Sequence, residues 1–246
     1  MTLRRLSINN LRNLAHVDIE PDSQVNLFYG ANGSGKTSIL EAISLLALGR
    51  SFRSHKHKTL IRYDAPAFTV FGRVTNEAGE VPLGISRTQQ GEASFKAGGD
   101  KVSSAADLAL YLPTQVINAD TFQLLEGGPQ VRRQFMDWLV FHVEPSFYPL
   151  WKQAQQCLKH RNSLLRRDRI DPFELDAWDQ ELAGLSASID TLRQGSLARY
   201  LPVLYEQLEG FACFEGLTLT YFAGWDTQKP YSEVLAQSRD RDMRLS

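Results

Sequence analysis

Apolar residues alternate with polar ones near the start of the chain. Leu6 and Ile8 share one face, and Ala15, Val17 and Ile19 form a second alternating run that Pro21 ends, so two strands are expected. Val25-Asn26-Leu27-Phe28-Tyr29 is more continuously apolar, which predicts a buried parallel strand running straight into Gly30. From Thr37 the period lengthens: Ile39, Leu40, Ile43, Leu46 and Ala47 fall at helical spacing, and Gly49 is the stop. Phe68, Val70, Gly72 and Val74, then Val81, Leu83 and Ile85, return to period two around a hairpin turn at Asn76-Glu77-Ala78-Gly79. With a further strand near Phe95 this predicts an antiparallel β insertion, and Val116-Ile117-Asn118 predicts a short return strand.

Helical spacing takes over from Pro129. Val131, Phe135, Trp138 and Leu139 form one stripe, Pro145 opens a long helix, and Asp171-Pro172 marks the start of another. In that last helix Leu175, Trp178, Leu182, Leu185, Ile189 and Leu192 are spaced 3, 4, 3, 4, 3, a heptad seam that slips at Gln194-Gly195-Ser196 and resumes from Leu197. Residues 150–170 carry six basic side chains and one acid, Asp168, whereas residues 171–193 carry six acids and one base, Arg193. A basic helix followed by an acidic one predicts an antiparallel hairpin with complementary flanks. The plain reading of both charge runs is a solvated helical lobe; the sharper one is that Arg161, Arg166, Arg167 and Arg169 face DNA. Leu217, Leu219 and Tyr221 then alternate as a strand, and Tyr231 to Leu245 reads as a charged helix.

Composition narrows the class. Apolar residues are 43% and charged residues 22% of the 246 positions, which excludes a disordered or collagen-like chain. The formal net charge is −1, which argues against a globally basic nucleic-acid coat protein, so any nucleic acid has to meet a local patch. The two cysteines, Cys157 and Cys213, match no metal-ligand spacing and fit a reducing cytosol. No long apolar stretch follows the basic N-terminus, and the longest apolar run, Ile39 to Leu48, is interrupted by Glu41 and Ser44. Neither a signal peptide nor a membrane span is expected, and the chain reads as soluble and cytoplasmic.

The segment that carries chemistry is Gly30-Ala31-Asn32-Gly33-Ser34-Gly35-Lys36-Thr37, which matches G-x-x-x-x-G-K-[ST]. A strand, a glycine-rich turn and a helix N-terminus together make a cradle of backbone N–H groups for a β-phosphate. In such a loop Lys36 reaches the β- and γ-phosphates and the Thr37 hydroxyl ligates Mg²⁺, so ATP with Mg²⁺ is the expected cofactor pair. Four fixed positions match by chance in on the order of one chain in a hundred of this length, and the flanking apolar run and amphipathic helix lower that further. No N-K-x-D segment is present, which argues against a GTPase. Arg50, Arg53, Lys56 and Lys58, with His55 and His57, form an acid-free basic stretch suited to phosphate contacts in DNA; the plain alternative is a solvated loop.

Around the P-loop the chain resembles the ABC/SMC-type ATPases of DNA repair and, within them, the RecF family of recombination mediators. The likeness rests on the P-loop followed by Leu40-Glu41-Ala42-Ile43, on Ile8-Asn9-Asn10-Leu11-Arg12-Asn13, and on Gly49-Arg50-Ser51-Phe52-Arg53. It rests also on Leu124 to Pro129 with Arg132 to Trp138 after it, and on Leu158-Lys159-His160-Arg161-Asn162. These segments occur in the family's order over residues 1 to about 170.

The resemblance implies an α/β fold: a P-loop ABC/SMC-type ATPase head with an antiparallel β insertion and a helical second lobe. It implies an ATPase lobe over 1–125, a helical lobe with a helix hairpin over 126–212, and over 213–246 a return strand that begins a second ATPase half. It places Arg12 and Asn13 near the nucleotide phosphates and Gln115 near the slot of a glutamine loop. The implied function is ATP-dependent binding of gapped or single-strand/double-strand junction DNA and help in loading recombinase, in support of replication and the SOS response. The implied partners are DNA, mediator proteins and, at full length, a second copy clamped around ATP, with weak DNA-dependent ATPase activity. A signature motif and a Walker B segment are absent from these 246 residues; Leu125-Glu126-Gly127-Gly128-Pro129-Gln130 only superficially resembles a signature loop. The chain therefore reads as one cut short before those motifs, with negligible hydrolysis expected. The competing reading is another P-loop NTPase, a nucleotide kinase or an ABC transporter subunit.

Overall fold

The computed structural model describes residues 1–54, 56–76, 79–167 and 169–245. His55, Asp168 and the middle of the expected hairpin turn, Glu77 and Ala78, lie outside them. Two compact units divide the chain, Met1–Thr121 and Phe122–Ser246.

In the first unit the alternating runs become strands. β1 (Thr2–Leu11) and β2 (Leu14–Ile19) form an antiparallel hairpin, closed on its edge by the Arg5–Asp18 ion pair at 2.5 Å. The expected insertion joins the same sheet: β3 (Ala67–Asn76), β4 (Gly79–Thr88), β5 (Ala93–Ala97) and β6 (Asp100–Val102) continue it in the order β2-β1-β3-β4-β5-β6, all antiparallel. Leu6, Ile8, Phe68, Val70, Val74, Leu83 and Ile85 are buried on one face. Helix α1 (Lys36–Leu48) covers that face with Ala42, Leu45 and Leu46, and the short α2 (Ala105–Ala109) adds Leu108. Gly72 lies where α1 meets the sheet: a Cβ there would stand 2.5 Å from Leu46 Cδ2. Gly49 ends α1 in the left-handed conformation, its N–H bonded to the Leu45 carbonyl.

Three expected strands are not formed. Val25–Tyr29 is coil, with Val25, Leu27 and Tyr29 80%, 82% and 87% exposed. Val116–Asn118 and Leu217–Tyr221 are coil as well, and Ile117, Leu217 and Leu219 are exposed. The composition of these segments suits strands, but a strand also needs a neighbour for its N–H and C=O groups. No strand among the described residues pairs with them.

The second unit is helical: α3 (Gln123–Glu126), α4 (Pro129–Val143), α5 (Phe147–Leu165), α6 (Pro172–Leu208) and α7 (Tyr231–Leu245). Pro129 sits in the first turn of α4, and the Asp171 side chain caps α6 by accepting from the Phe173 N–H at 2.9 Å. The helix runs unbroken through Gln194-Gly195-Ser196 and Pro202. α5 and α6 pack as the expected antiparallel hairpin, with His160 stacked on Trp178 and Phe147 and Ala154 in one cluster with Ile189.

Their charges are used inside the unit. Arg161 and Asp179 are each 2% exposed, and Arg161 Nε donates to Asp179 at 2.6 Å. Arg161 also reaches Asp242 of α7 at 3.0 Å, and Arg239 of α7 closes on Asp179 at 2.5 Å. Arg161 is therefore a buried tie between three helices, which corrects its reading as a DNA-facing residue. Both cysteines are free thiols; burial, helped by Glu181 and Asp179, pushes Cys157 up to about 11. No helix among the described residues is long and apolar enough to cross a membrane.

Candidate nucleotide site

The P-loop leads from the coil at 25–29 directly into α1. Gly30, Gly33 and Gly35 adopt φ of 144°, 82° and 102°. Gly35 is the most constrained of the three, because a Cβ there would meet Leu14 Cδ2 at 2.5 Å in a backbone conformation that side chains rarely adopt. No side chain among the described residues caps α1, so its first N–H groups remain available to an outside acceptor. Lys36 Nζ donates to the carbonyls of Gly30 at 2.8 Å and Ala31 at 2.9 Å, so the ammonium lies across the mouth of its own loop. The Asn13 amide braces the loop from the β1–β2 turn: Nδ2 donates to the Gly33 carbonyl at 2.7 Å, and Oδ1 accepts from Ser38 Oγ at 2.9 Å.

A cavity of roughly 620 Å³ opens beside this loop, between Arg12 and Asn13 on one side and Asn32, Gly33, Lys36 and Thr37 on the other. Its size is that of an ordinary small-molecule site. The Thr37 hydroxyl has no hydrogen-bond partner among the described residues. Arg53 reaches the same cavity from the loop after α1. That loop is fastened to the hairpin by backbone bonds from Arg12 N to the Leu60 carbonyl at 2.7 Å and from Arg62 N to the Asn10 carbonyl at 2.9 Å.

Behind the wall lies Glu41, fully buried on α1 one turn beyond Thr37. It accepts from Arg12 Nε at 2.9 Å and Nη2 at 2.7 Å, and from the Ser51 hydroxyl, and Arg53 stands 3.7 Å away. Burial alone raises such a carboxyl, but Arg12, Ser51 and Arg53 together outweigh it and hold Glu41 below the usual carboxylate range.

The structure thus gathers Arg12, Asn13, Asn32, Gly33, Gly35, Lys36 and Thr37 around one cavity. Gln115 is exposed in a coil and does not line it. Arg50, Arg53, Lys56 and Lys58 are all exposed on the segment between α1 and β3. Sequence reasoning passed over Glu41 and Ser51. The available signal was the one carboxylate within a mainly apolar helical run, where an uncompensated charge is costly.

The RecF/RecN/SMC N terminal domain family matches residues 2–208. A protein of Cellvibrio japonicus (strain Ueda107) named DNA replication and repair protein RecF is 63% identical over all 246 residues, and the chain spans 67% of its length. The chain belongs to the RecF family. A RecF of Pseudomonas putida (strain GB-1) is 48% identical over the same 246 residues, again with 67% of its length covered. A solved structure of the recombination mediator protein RecF-ATP in the RecFOR pathway superposes with a TM-score of 0.85 at 25% identity, covering 99% of this chain and 69% of that one. A companion structure, RecF-ATPrS, gives 0.82 at the same identity and coverage. The ABC/SMC-type α/β fold expected from the sequence is therefore shown, as is a place among DNA replication and repair proteins. RecF membership removes the nucleotide-kinase and transporter alternatives.

Proposed function

We propose that this chain binds ATP with Mg²⁺ and uses it to gate DNA binding in recombinational repair. The observation that carries the reading is the glycine cradle of Gly30, Gly33 and Gly35 beside an open cavity, with the Lys36 ammonium lying over it. Among the described residues, an ammonium held by its own loop carbonyls, helix N–H groups without a side-chain cap and a Thr37 hydroxyl without a partner fit a nucleoside polyphosphate and its divalent ion. Lys36 would meet the β- and γ-phosphates, Thr37 would ligate Mg²⁺, Gly30 to Gly35 would wrap the β-phosphate, and Arg12 and Asn13 would flank the site.

The DNA reading rests on Arg50, Arg53, Lys56 and Lys58, exposed on one segment that also reaches the cavity through Arg53. Contacts of this kind bind phosphates without reading bases, which suits recognition of gapped or single-strand/double-strand junctions by shape. Family membership, and the name of a relative solved with ATP in the RecFOR pathway, support a role in loading recombinase with mediator partners. On this reading the setting is cytoplasmic, in replication and the SOS response, and two copies close around ATP. These 246 residues support ATP binding and gating, whereas turnover needs acids of a Walker B segment that they do not contain.

The test is retention of gapped DNA by the wild type and by Lys36→Ala, with and without ATP and Mg²⁺. Wild-type retention is expected to rise with ATP, and Lys36→Ala is expected to lose that rise. Equal DNA affinity in the two proteins under all conditions would sink the gating idea.

A further inference from the structure

A guanidinium carries five N–H groups, and in Arg12 three of them are taken. Nε and Nη2 each give one to Glu41, at 2.9 and 2.7 Å, and Nη1 gives one to the Thr59 carbonyl at 2.7 Å. One N–H on Nη1 and one on Nη2 have no partner among the described residues, and Arg12 lines the cavity beside Lys36 and Thr37. A pair of free N–H groups on a fixed guanidinium is what two phosphate oxygens need. The backbone that carries this side chain is held as well: Arg12 stands at φ 55° in the turn between β1 and β2, with its own N–H on the Leu60 carbonyl.

Glu41 acts on a second segment as well. The Ser51 hydroxyl donates to Glu41 and accepts from the backbone N–H of Arg53 at 2.9 Å and of Ser54 at 3.1 Å. One buried carboxylate thereby sets both the guanidinium on the cavity wall and the start of the basic loop. With Arg12 and Arg53 facing a single acid, the wall keeps a surplus positive charge next to the P-loop lysine.

We propose that Glu41 is a positioning residue for nucleotide binding: it holds Arg12 with two N–H groups free for a phosphate and, through Ser51, anchors the loop that brings Arg53 to the same cavity. The proposal rests on the nucleotide-site reading above and adds a role for a residue that does not itself touch the ligand.

The experiment is calorimetric titration of the protein with MgATP, in a cycle of Glu41→Gln, Arg12→Ala and the double variant, with Lys36→Ala alongside. Glu41→Gln keeps the shape and removes the charge that orients Arg12. Each single variant of the cycle is expected to weaken MgATP about tenfold, and the double variant to be no more than about twofold weaker than Arg12→Ala alone, because the two residues act as one unit. A purely structural Glu41 would lower the melting temperature while leaving affinity unchanged, or would weaken binding equally with and without Arg12; either result overturns the proposal. Arg12→Lys is the second route should Glu41→Gln fail to fold. It keeps the charge but loses the rigid planar fork by which Glu41 fixes the free N–H groups, so wild-type affinity in Arg12→Lys overturns the proposal too. Failure of the wild type to bind MgATP overturns this proposal together with the nucleotide-site reading. Binding by the wild type, its loss in Lys36→Ala and no effect of Arg12→Ala overturn this proposal alone.

Discussion

In the sheet-bearing unit the buried set is mostly hydrocarbon, from Leu6 and Ile8 on β1 to Phe68, Val70 and Val74 on β3, and its buried carboxylate, Glu41, stands behind the cavity. In the helical unit the apolar side chains form two smaller clusters, around Val140 and Ile189 and around Cys157 and Leu182. The Arg161–Asp179 pair with its α7 partners lies within that unit and ties three helices. The first unit holds its shape by excluding water, which is non-directional and tolerant of exact placement. The second depends on a few charged groups meeting across long stretches of sequence, and a buried ion pair is far more sensitive to loss of one partner than to loss of both.

The largest effect expected from this contrast is in the helical unit. Arg161→Ala leaves Asp179 buried with less compensation and should cost about 3–5 kcal/mol in urea unfolding. Replacing both partners, Arg161→Met with Asp179→Leu, should recover most of that, and equal losses in the single and double variants would place the cost in packing rather than charge. The matching test of the sheet unit is Gly72→Val, where the first added carbon already stands 2.5 Å from Leu46 Cδ2 and 3.0 Å from Leu3 Cδ1. Overpacking there should cost about 1–3 kcal/mol, read from the same unfolding curves; no change in midpoint would mean that α1 is free to lift from the sheet. The smallest effect is Asp171→Ala, which removes the cap of α6 and should cost about 1 kcal/mol, with a small loss of helical circular dichroism near the midpoint.

The same contrast explains what could be read in the sequence. The period-two runs of β1, β2, β3 and β4 and the helical run of α1 were legible because each has one face against a continuous apolar core. The α5–α6 hairpin was legible from the heptad at Leu175 to Leu192 and from the reversal of charge between the two helices. Arg161 was misread because Asp179 and Asp242, its partners, lie 18 and 81 positions away, beyond the reach of local pattern. Val25–Tyr29 was misread because apolar content reports a wish for burial, whereas strand formation also requires a hydrogen-bonding neighbour. At the site, the P-loop residues announced themselves by motif, while Glu41 was visible only as an interruption of a hydrophobic stripe.

The resting place of Lys36 has a consequence for how a ligand arrives. Its ammonium is already pinned by the Gly30 and Ala31 carbonyls, so the flexibility of that four-carbon arm is surrendered during folding and not at the moment of encounter. An incoming phosphate exchanges two neutral acceptors for charged ones, and bonds to charged acceptors are roughly twice as strong. The lysine works as a placeholder: it keeps the loop in a ligand-ready shape without cargo and gives way only to a group more negative than a peptide carbonyl.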